Sequence, residues 1–598
     1  MRRFESVRGL QLRGYWLIAL GFWQNDNSLT TKTMSWGIFL LLCSATLLFR
    51  VLDPWESMVM HFSPEPQFQN FSDFVTQKKQ ILQVSPEITL VAVGDIMLSR
   101  TVTSKIKQHN DLNYPFLQTA NFLKNADLTF GNLENSIIAG PVILPYTMTL
   151  RGDPGIEKAL KNSGFDILSL ANNHVPNSGT QGVLATLEYL DKIGLAHVGA
   201  GENSTAAQQP AYFSRQGLTF AFLGYNDSDV VPAFYEAAEN RPGTAFMRIE
   251  QMVAMVELAK TKADFVIVSM HSGQEYVPTP NQAQINFAHA AIDAGAELVL
   301  GHHPHVIQTL EQYQGKYIFY SLGNFIFDQD HLAAVKQGLA LKIYFNQAGV
   351  REILPLPVII QNYAQPKFLP GDAAAQVLER LDYPLMHNLA FIWDQETNQI
   401  RQTQRQVIKN DQINQTSEFR SQVAEIGDYK FSLQAGKLKI SLPEKTIWES
   451  PAKWWIENFE LADSNHDGRI NVNLSIWQTN NSEKAKFFWQ TKKTVNVKNY
   501  FLIFAFEHGV MQPIWQSTSL AAPNCAFQFA DVNGDSKQDL VVLVGDYTQA
   551  PKCSGKYLVI WEWDGLGFTK TWQSASGNYR NFRIENIGNQ TEIIVAQL

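Results

Sequence analysis

The sequence predicts an α/β layered domain followed by an all-β domain of blade-like repeats, with one transmembrane helix ahead of both. Between about Ile88 and Leu354, short apolar runs end in acid, amide or imidazole residues and alternate with helix-period segments. That is the rhythm of strand, polar tip, helix and strand in a layered fold. Beyond about Lys437 the chain turns rich in Trp and Phe and repeats itself, each unit with short alternating strands and an acidic turn, as blade-like antiparallel sheets do. Near the start lies an apolar run without charge. A chain of 598 residues is too long for one hydrophobic core, so at least two domains are expected.

The uncharged run Trp36 to Phe49 extends to Met34 and Leu52 if Arg50 snorkels, which brings it near the ~20 residues a membrane span needs. Arg2, Arg3, Arg8, Arg13 and Lys32 precede it. The positive-inside rule therefore places 1–33 in the cytoplasm, 34–52 in the cell membrane as a single-pass anchor, and the bulk of the chain outside. No small-x-small cleavage site follows the run, which favours an uncleaved anchor. Polar residues with scattered prolines and aromatics make 53–86 a linker.

The layered domain is expected over 87–360. Ile88 to Val93 leads into Gly94-Asp95, and Phe165 to Leu170 leads into Ala171-Asn172-Asn173-His174. Asp264 to Met270 ends in His271, and Glu297 to Leu300 ends in Gly301-His302-His303-Pro304-His305. Helix-period segments lie between, at Pro154 to Ser163, Gly179 to Ile193 and Gln282 to Ala294. The alternation then weakens, so 361–436 reads as a helical and polar connector.

In the last region, 437–598, Phe459 to Asp467 matches Phe527 to Asp535. Phe501 to Ser517 and Leu558 to Ser574 both close on Trp-Gln-Ser, and a weaker copy appears at Phe582 to Val595. Cys525 and Cys553 are the only cysteines here, and either pair in an exported domain or stay as buried thiols.

With 45% hydrophobic and 17% charged residues the composition is that of a folded protein, and a net charge of −8 gives no basic field for gathering phosphates. Nucleic acid is excluded as the main partner. Metal catalysis on a phosphate or similar group instead needs oxygen and imidazole ligands brought together from separate strand ends. Asp95, Asn132, Glu134, Asn173, His174, His271 and the trio His302, His303 and His305 stand where such ligands would gather. Three imidazoles in five residues after a buried strand are costly to bury unless they bind something.

The ordered motifs VGDIML, FGNLEN, LANNH, SMHSGQEY, GHHPHVIQ and YSLGNFIFD, spread over about Ile88 to Leu354, closely resemble the capsule synthesis protein CapA family of poly-γ-glutamate biosynthesis, a variant of the calcineurin-type metallophosphoesterase fold. The resemblance implies a four-layer αββα domain. It implies Asp95, Glu134, Asn173, His271, His303 and His305 as metal ligands, and His174, beside Asn173, as the catalytic general acid. The chain departs from ordinary metallophosphoesterases at Met97, which occupies a histidine position, and at Glu134, where the second motif uses aspartate. It departs from CapA-like sequences at Asn177, where they carry an aspartate. Gly323, Asn324 and Asp328 are expected to shape the final turn.

The later acidic stretches follow an Asp-x-Asn-x-Asp pattern that resembles the calcium loops of FG-GAP and VCBS repeats: Asp463, Asn465 and Asp467, then Asp531, Asn533, Asp535 and Asp539. Alternate oxygen ligands in a tight turn suit Ca²⁺, and Leu474 at the twelfth position argues against an EF-hand. A solvated turn held by Asx hydrogen bonds is the other reading.

Two functions are therefore expected. In one the chain is an extracytoplasmic hydrolase or transferase, using Mn²⁺, Fe²⁺ or Zn²⁺, on a cell-surface polymer or its precursor, working with the capsule synthesis machinery. In the other it is a non-enzymatic protein that binds, exports or anchors the polymer.

Overall fold

The computed structural model describes residues 67–597 apart from 69, 82–86, 145–146, 229–230, 396, 410–421, 480–494, 552 and 588–589. The expected cytoplasmic stretch 1–33 and transmembrane helix 34–52 lie outside the described residues, and among those described no helix is long and apolar enough to cross a membrane.

The runs that lead into polar tips are strands, Ile88–Ile96, Ile167–Ser169, Phe265–His271 and Leu298–His302, buried almost throughout. Continuous apolar runs of this kind belong in parallel sheets covered on both faces. Two such sheets form. The first runs parallel through Ile88–Ile96, Leu128–Leu133, Ile167–Ser169 and Ala196–Val198. The second runs parallel through Leu218–Asn226, Phe265–His271, Leu298–His302 and Lys316–Phe319. Leu90, Phe130, Phe222, Ile267 and Leu300 share the core between them.

Helices close the outer faces. Arg100–His109, Ile156–Asn162 and Gly179–Lys192 bury Val102, Leu160 and Leu190 against the first sheet. Ile249–Lys260 and Gln282–Asp293 bury Met252, Val256 and Phe287 against the second. The last helix starts at a capping box, in which Asn281 accepts from the Gln284 N–H and the Gln284 side chain accepts from the Asn281 N–H, so two otherwise unpaired donors are satisfied. Helix, sheet, sheet, helix is the expected four-layer order.

The first sheet does not stop at the layered domain. Gln337–Asn346 joins Ile88–Ile96 antiparallel, followed by Gly349–Gln361, Gln399–Lys409, Met386–Asp394, Gln590–Gln597 and Tyr579–Ile587. The stretch 361–436 is thus not the helical connector expected from its polarity. Its described residues hold one α-helix, Gly371–Leu378, and five strands, because Met386–Asp394 and Gln399–Lys409 pair along nine residue pairs with each other and the former then with the end of the chain. Their alternation is diluted by Gln and Asn, which hides it at the level of hydropathy.

Among the described residues four four-stranded blades result. The first is Gln422–Ile426, Tyr429–Gln434, Lys437–Leu442 and Lys445–Glu449. The second takes Trp455–Ala462, Asn471–Thr479, Val495–Glu507 and Val510–Gln516, and the third Asn524–Ala530, Asp539–Val544, Tyr557–Trp563 and Phe568–Gln573. The fourth is made of the hairpins 386–409 and 579–597, so the weak copy seen at Phe582 to Val595 is half a blade completed by residues far earlier in the chain. A boundary at 437 would cut the first blade in two and strip the fourth of its partner. Neighbouring blades share apolar cores, Phe459 with Phe431, Phe527 with Phe501, and Phe391 with Val541 and Ile593.

The linker 53–86 is also corrected in its described part. Gln67–Phe68 adds a strand to Val495–Glu507, and helix Phe71–Ile81 follows. Phe74 packs with Trp477, and Lys78, fully buried, donates to Glu457 at 2.9 Å. A buried lysine persists only when paired, so this helix is bound to the second blade and not a free stalk.

Candidate metal centre

The carboxyl ends of both parallel sheets open on one place, and the backbone there is crowded. A Cβ on Gly94 would lie 2.0 Å from the Gly323 carbonyl oxygen, and one on Gly301 would lie 1.9 Å from that of Tyr320. Glycine at both positions lets the strand tips approach closely enough for their side chains to meet. His303 and His305 adopt φ of 96° and 58°. Non-glycine residues in this region are strained and concentrate at functional sites.

Asn132 sits at the hub. Its Nδ2 lies 2.9 Å from Asp95 Oδ1, 3.3 Å from Glu134 Oε2 and 3.4 Å from His271 Nδ1, and its Oδ1 accepts from Asn172 Nδ2 at 3.0 Å. Asn172 in turn accepts the backbone N–H groups of His174 and Val175 at 3.1 and 2.9 Å, which holds the turn after the Ile167–Ser169 strand. His271 Nε2 stands 2.9 Å from Asn173 Oδ1 and 3.1 Å from His303 Nδ1. His305 Nδ1 faces Asn324 Oδ1 at 2.9 Å and Asp95 Oδ2 at 3.2 Å, while its Nε2 lies 3.6 Å from Glu134 Oε1. Asn324, expected only to shape a turn, therefore orients an imidazole.

The residues fit a divalent cation. One ligand atom from each of Asp95, Glu134 and His271 lies within 4.8 Å of the others, and all three side chains are buried. Glu134 Oε1 and both ring nitrogens of His302 are buried with no hydrogen-bond partner. His302 Nδ1 comes within 3.2 Å of Asp95 Oδ1 without the alignment for a hydrogen bond. Unsatisfied buried donors and acceptors are costly, and carboxylate with imidazole suits Mn²⁺, Fe²⁺ or Zn²⁺ better than Ca²⁺.

Electrostatics follow from burial. Burial works to raise the Asp95 carboxyl, but His302 and His305 beside it outweigh that and hold it well below the usual range. Glu134 is pushed well above its ordinary value by burial and by the Asp95 charge. Burial pushes His271 down, His303 to about 3 and His174 to about 4. Neutral imidazoles are the form that ligates metal.

His174 lies at the edge, its Nε2 3.8 Å from Glu134 Oε1 and its Nδ1 2.8 Å from Asn177 Oδ1. Asn177 Nδ2 donates to the Asn173 carbonyl at 3.2 Å, so its oxygen faces the ring and the proton sits on His174 Nδ1. The amide keeps the orientation an aspartate would supply and drops its charge. Met97 is buried, and its sulfur accepts the Ser99 N–H at 3.0 Å, so it serves as packing.

For three residues only the structure gives the role, although Asn132 already stood among the candidate ligands. Asn132 and Asn172 brace the ligands from behind. Arg100 pairs with Asp328, donates to the Thr147 carbonyl at 3.0 Å and acts electrostatically on Glu134 and His174. Arg100 follows VGDIML by one residue, and that adjacency is its only signal in the sequence.

A family model described as "Bacterial capsule synthesis protein PGA_cap" matches residues 89–329. The capsule biosynthesis protein CapA of Bacillus anthracis is 34% identical over 286 residues, covering 46% of this chain and 68% of that protein. The PGA biosynthesis protein CapA of Bacillus subtilis is 38% identical over 270 residues, covering 44% and 70%. This chain belongs to the PGA_cap family. A calcineurin-like phosphoesterase of Bacillus subtilis has a related chain trace at 12% identity and a TM-score of 0.27, covering 50% of this chain and 97% of that one; that likeness is too distant to build on.

Outside the matched region, this PGA_cap chain carries the two acidic turns. Asp463 accepts the N–H groups of Asp467 and Gly468 at 3.0 and 2.9 Å, and Asp467 pairs with Arg469 at 2.8 Å. Asp531 accepts from Gly534, Asp535 and Ser536 at 2.7, 3.1 and 2.8 Å, and Asn533 accepts from Asp535 at 3.0 Å. Buried Asp539 accepts the Val532 N–H at 3.1 Å; burial, with Glu562, Asp535 and Asp531 nearby, pushes it up to about 7. In the first turn Asn471 replaces it and accepts the Ser464 N–H. Cys525 and Cys553 are joined as a disulfide across 5.2 Å between Cα atoms.

Proposed function

We propose that this chain is a membrane-anchored, extracytoplasmic protein of capsule, poly-γ-glutamate or other surface-polymer synthesis, with a divalent-metal-dependent phosphoesterase-like site. The observation that carries the reading is the convergence of carboxylate, amide and imidazole from five separate strand ends on one buried centre with unsatisfied ligand atoms. The relatives' names supply the capsule and poly-γ-glutamate context. The arginines ahead of Met34 and the disulfide both favour a location outside the cytoplasm.

In this reading Asp95, Glu134, Asn173, His271, His303 and His305 hold the cation, with His302 as a further candidate. A cation bound there supplies Lewis-acid polarisation of an anionic substrate oxygen. Asn132 keeps the Asp95 and Glu134 carboxylates in place, and Asn172 sets the turn that carries Asn173 and His174. His174 presents a bare Nε2, so at neutral pH it accepts a proton rather than donating one.

A second reading, in which the site binds a polyanion without turning it over, is favoured by Asn177, which offers His174 Nδ1 a neutral amide oxygen in place of a carboxylate. A general acid with a pKa of about 4 is mostly deprotonated at pH 7, far from the match that proton transfer prefers. The test is full-length protein loaded with Mn²⁺ and assayed on bis(p-nitrophenyl) phosphate. Metal-dependent turnover that falls in Asp95→Asn supports the hydrolase. Metal bound with no turnover leaves the binding protein, and no metal bound after reconstitution removes the hydrolase and puts the non-enzymatic binding protein in front.

A further inference from the structure

The third and fourth blades enclose a cleft of about 480 Å³, remote in sequence from the strand-end centre and lined by Trp393, Gln528, Asn533, Gln538 and Asn586. Pockets for small ligands begin at roughly 300 Å³. Three of these residues, Gln528, Asn533 and Gln538, are carboxamides whose oxygens are already held by backbone N–H groups. Gln528 Oε1 accepts the Ile584 N–H at 3.2 Å, Gln538 Oε1 the Asp463 N–H at 3.1 Å and Asn533 Oδ1 the Asp535 N–H at 3.0 Å. Fixing the oxygen fixes the amide plane, so each NH₂ group is left as an oriented donor. Among the described residues none of these three NH₂ groups has a partner.

The chemistry of the occupant follows from charge and shape. Among the described residues no Lys or Arg lines the cleft, and the one charged residue there is Asp531, whose carboxylate is taken up by three backbone N–H groups. A negative residue without basic neighbours repels anions. Oriented donors around an indole, with no cation, match a neutral ligand rich in hydroxyl and ether oxygens that also has an apolar face. We propose that this cleft binds a neutral saccharide, with the ring face against Trp393 and the hydroxyl oxygens accepting from Gln528, Asn533 and Gln538.

The inference is independent of any metal at the strand ends. It is tested with the full chain on an immobilised panel of neutral bacterial oligosaccharides, acidic oligosaccharides and uncharged oligopeptides. Gln528→Glu and Gln538→Glu keep the oxygen that pins each side chain and remove the NH₂ donor, so the fold should persist by circular dichroism. The proposal expects retention of at least one neutral saccharide, weakened tenfold or more by Gln528→Glu or Trp393→Ala and unaffected by His303→Ala. It is overturned if no neutral saccharide is retained, if acidic saccharides or peptides are preferred, or if Gln528→Glu, Gln538→Glu and Trp393→Ala all bind as the wild type does.

Discussion

The strand-end centre and the two acidic turns carry the same signal by residue type, carboxylates and amides at close spacing, yet their hydrogen bonding is opposite. At the centre, Glu134 Oε1 and the His302 nitrogens are buried and unsatisfied. In the turns, the Asp463 and Asp531 oxygens are occupied by their own loop's N–H groups. A turn that satisfies its carboxylates with backbone is complete without a ligand. A buried cluster of unsatisfied ligand atoms is not. The turns also differ from each other. Arg469 pairs with Asp467 in the first, which has Asn471 where the second buries Asp539.

The largest expected effect breaks the comparison if it fails. The double substitution His303→Ala and His305→Ala should abolish transition-metal binding in reconstituted protein while circular dichroism stays native. Elemental analysis that finds undiminished metal would place the ion elsewhere. Second in size is Cys525→Ser. The disulfide closes a loop of sequence separation 28 inside the third blade, and loss of such a crosslink costs about 3 kcal/mol. Denaturant unfolding of the oxidised protein should show it, and an unchanged midpoint would mean the pair contributes nothing.

A third, smaller effect tests His174. Asn177→Asp returns a carboxylate to its Nδ1, which raises its pKa from about 4 and should speed any phosphodiester turnover about tenfold or more. Because a general acid works only when protonated, the alkaline limb of the pH–rate profile should move upward with it. A profile that does not move would show that His174 transfers no proton.

The smallest effect concerns the second turn. Burial raises the Asp539 pKa from the ordinary carboxylate range to about 7, so the folded state holds a proton that the unfolded chain releases. Its contribution to stability is present below pH 4, is lost as pH rises toward 7, and stays absent above. Asp539→Asn should therefore raise Tm at pH 8 and leave it unchanged at pH 4. Ca²⁺ should raise the wild-type Tm at pH 8 by linkage, with no rise in the variant. A calcium response that survives Asp539→Asn would shift the binding to the first turn, and no response at all would leave both as solvated turns.

Much of the candidate centre was legible because ligand-bearing tips follow buried strands, and a strand's apolar run is local information. Asp95, His271 and the 302–305 cluster are visible for that reason. Asn132 and Asn172 were less so as braces, since an asparagine that supports another residue has the same local pattern as one that shapes a turn. The blades of residues 455–573 follow the repeats in the sequence, whereas the first, 422–449, straddles the expected boundary at 437. The fourth escaped because its inner hairpin, 386–409, precedes the repeats and its outer hairpin ends the chain.

By itself, then, the sequence determined where the strands and helices of the layered domain alternate, that the later region repeats, which side chains end each buried strand, and how little basic charge surrounds them. These depend on hydropathy period and residue chemistry within a few positions. Only the tertiary structure decided that Asn132 joins Asp95, Glu134 and His271, that Asn177 presents its oxygen to His174, and that 579–597 completes a blade begun at 386. Each of these is a contact between residues whose meeting depends on how the sheets pack and in what register. Local pattern does not encode that geometry, because it is fixed by burial of the whole core at once.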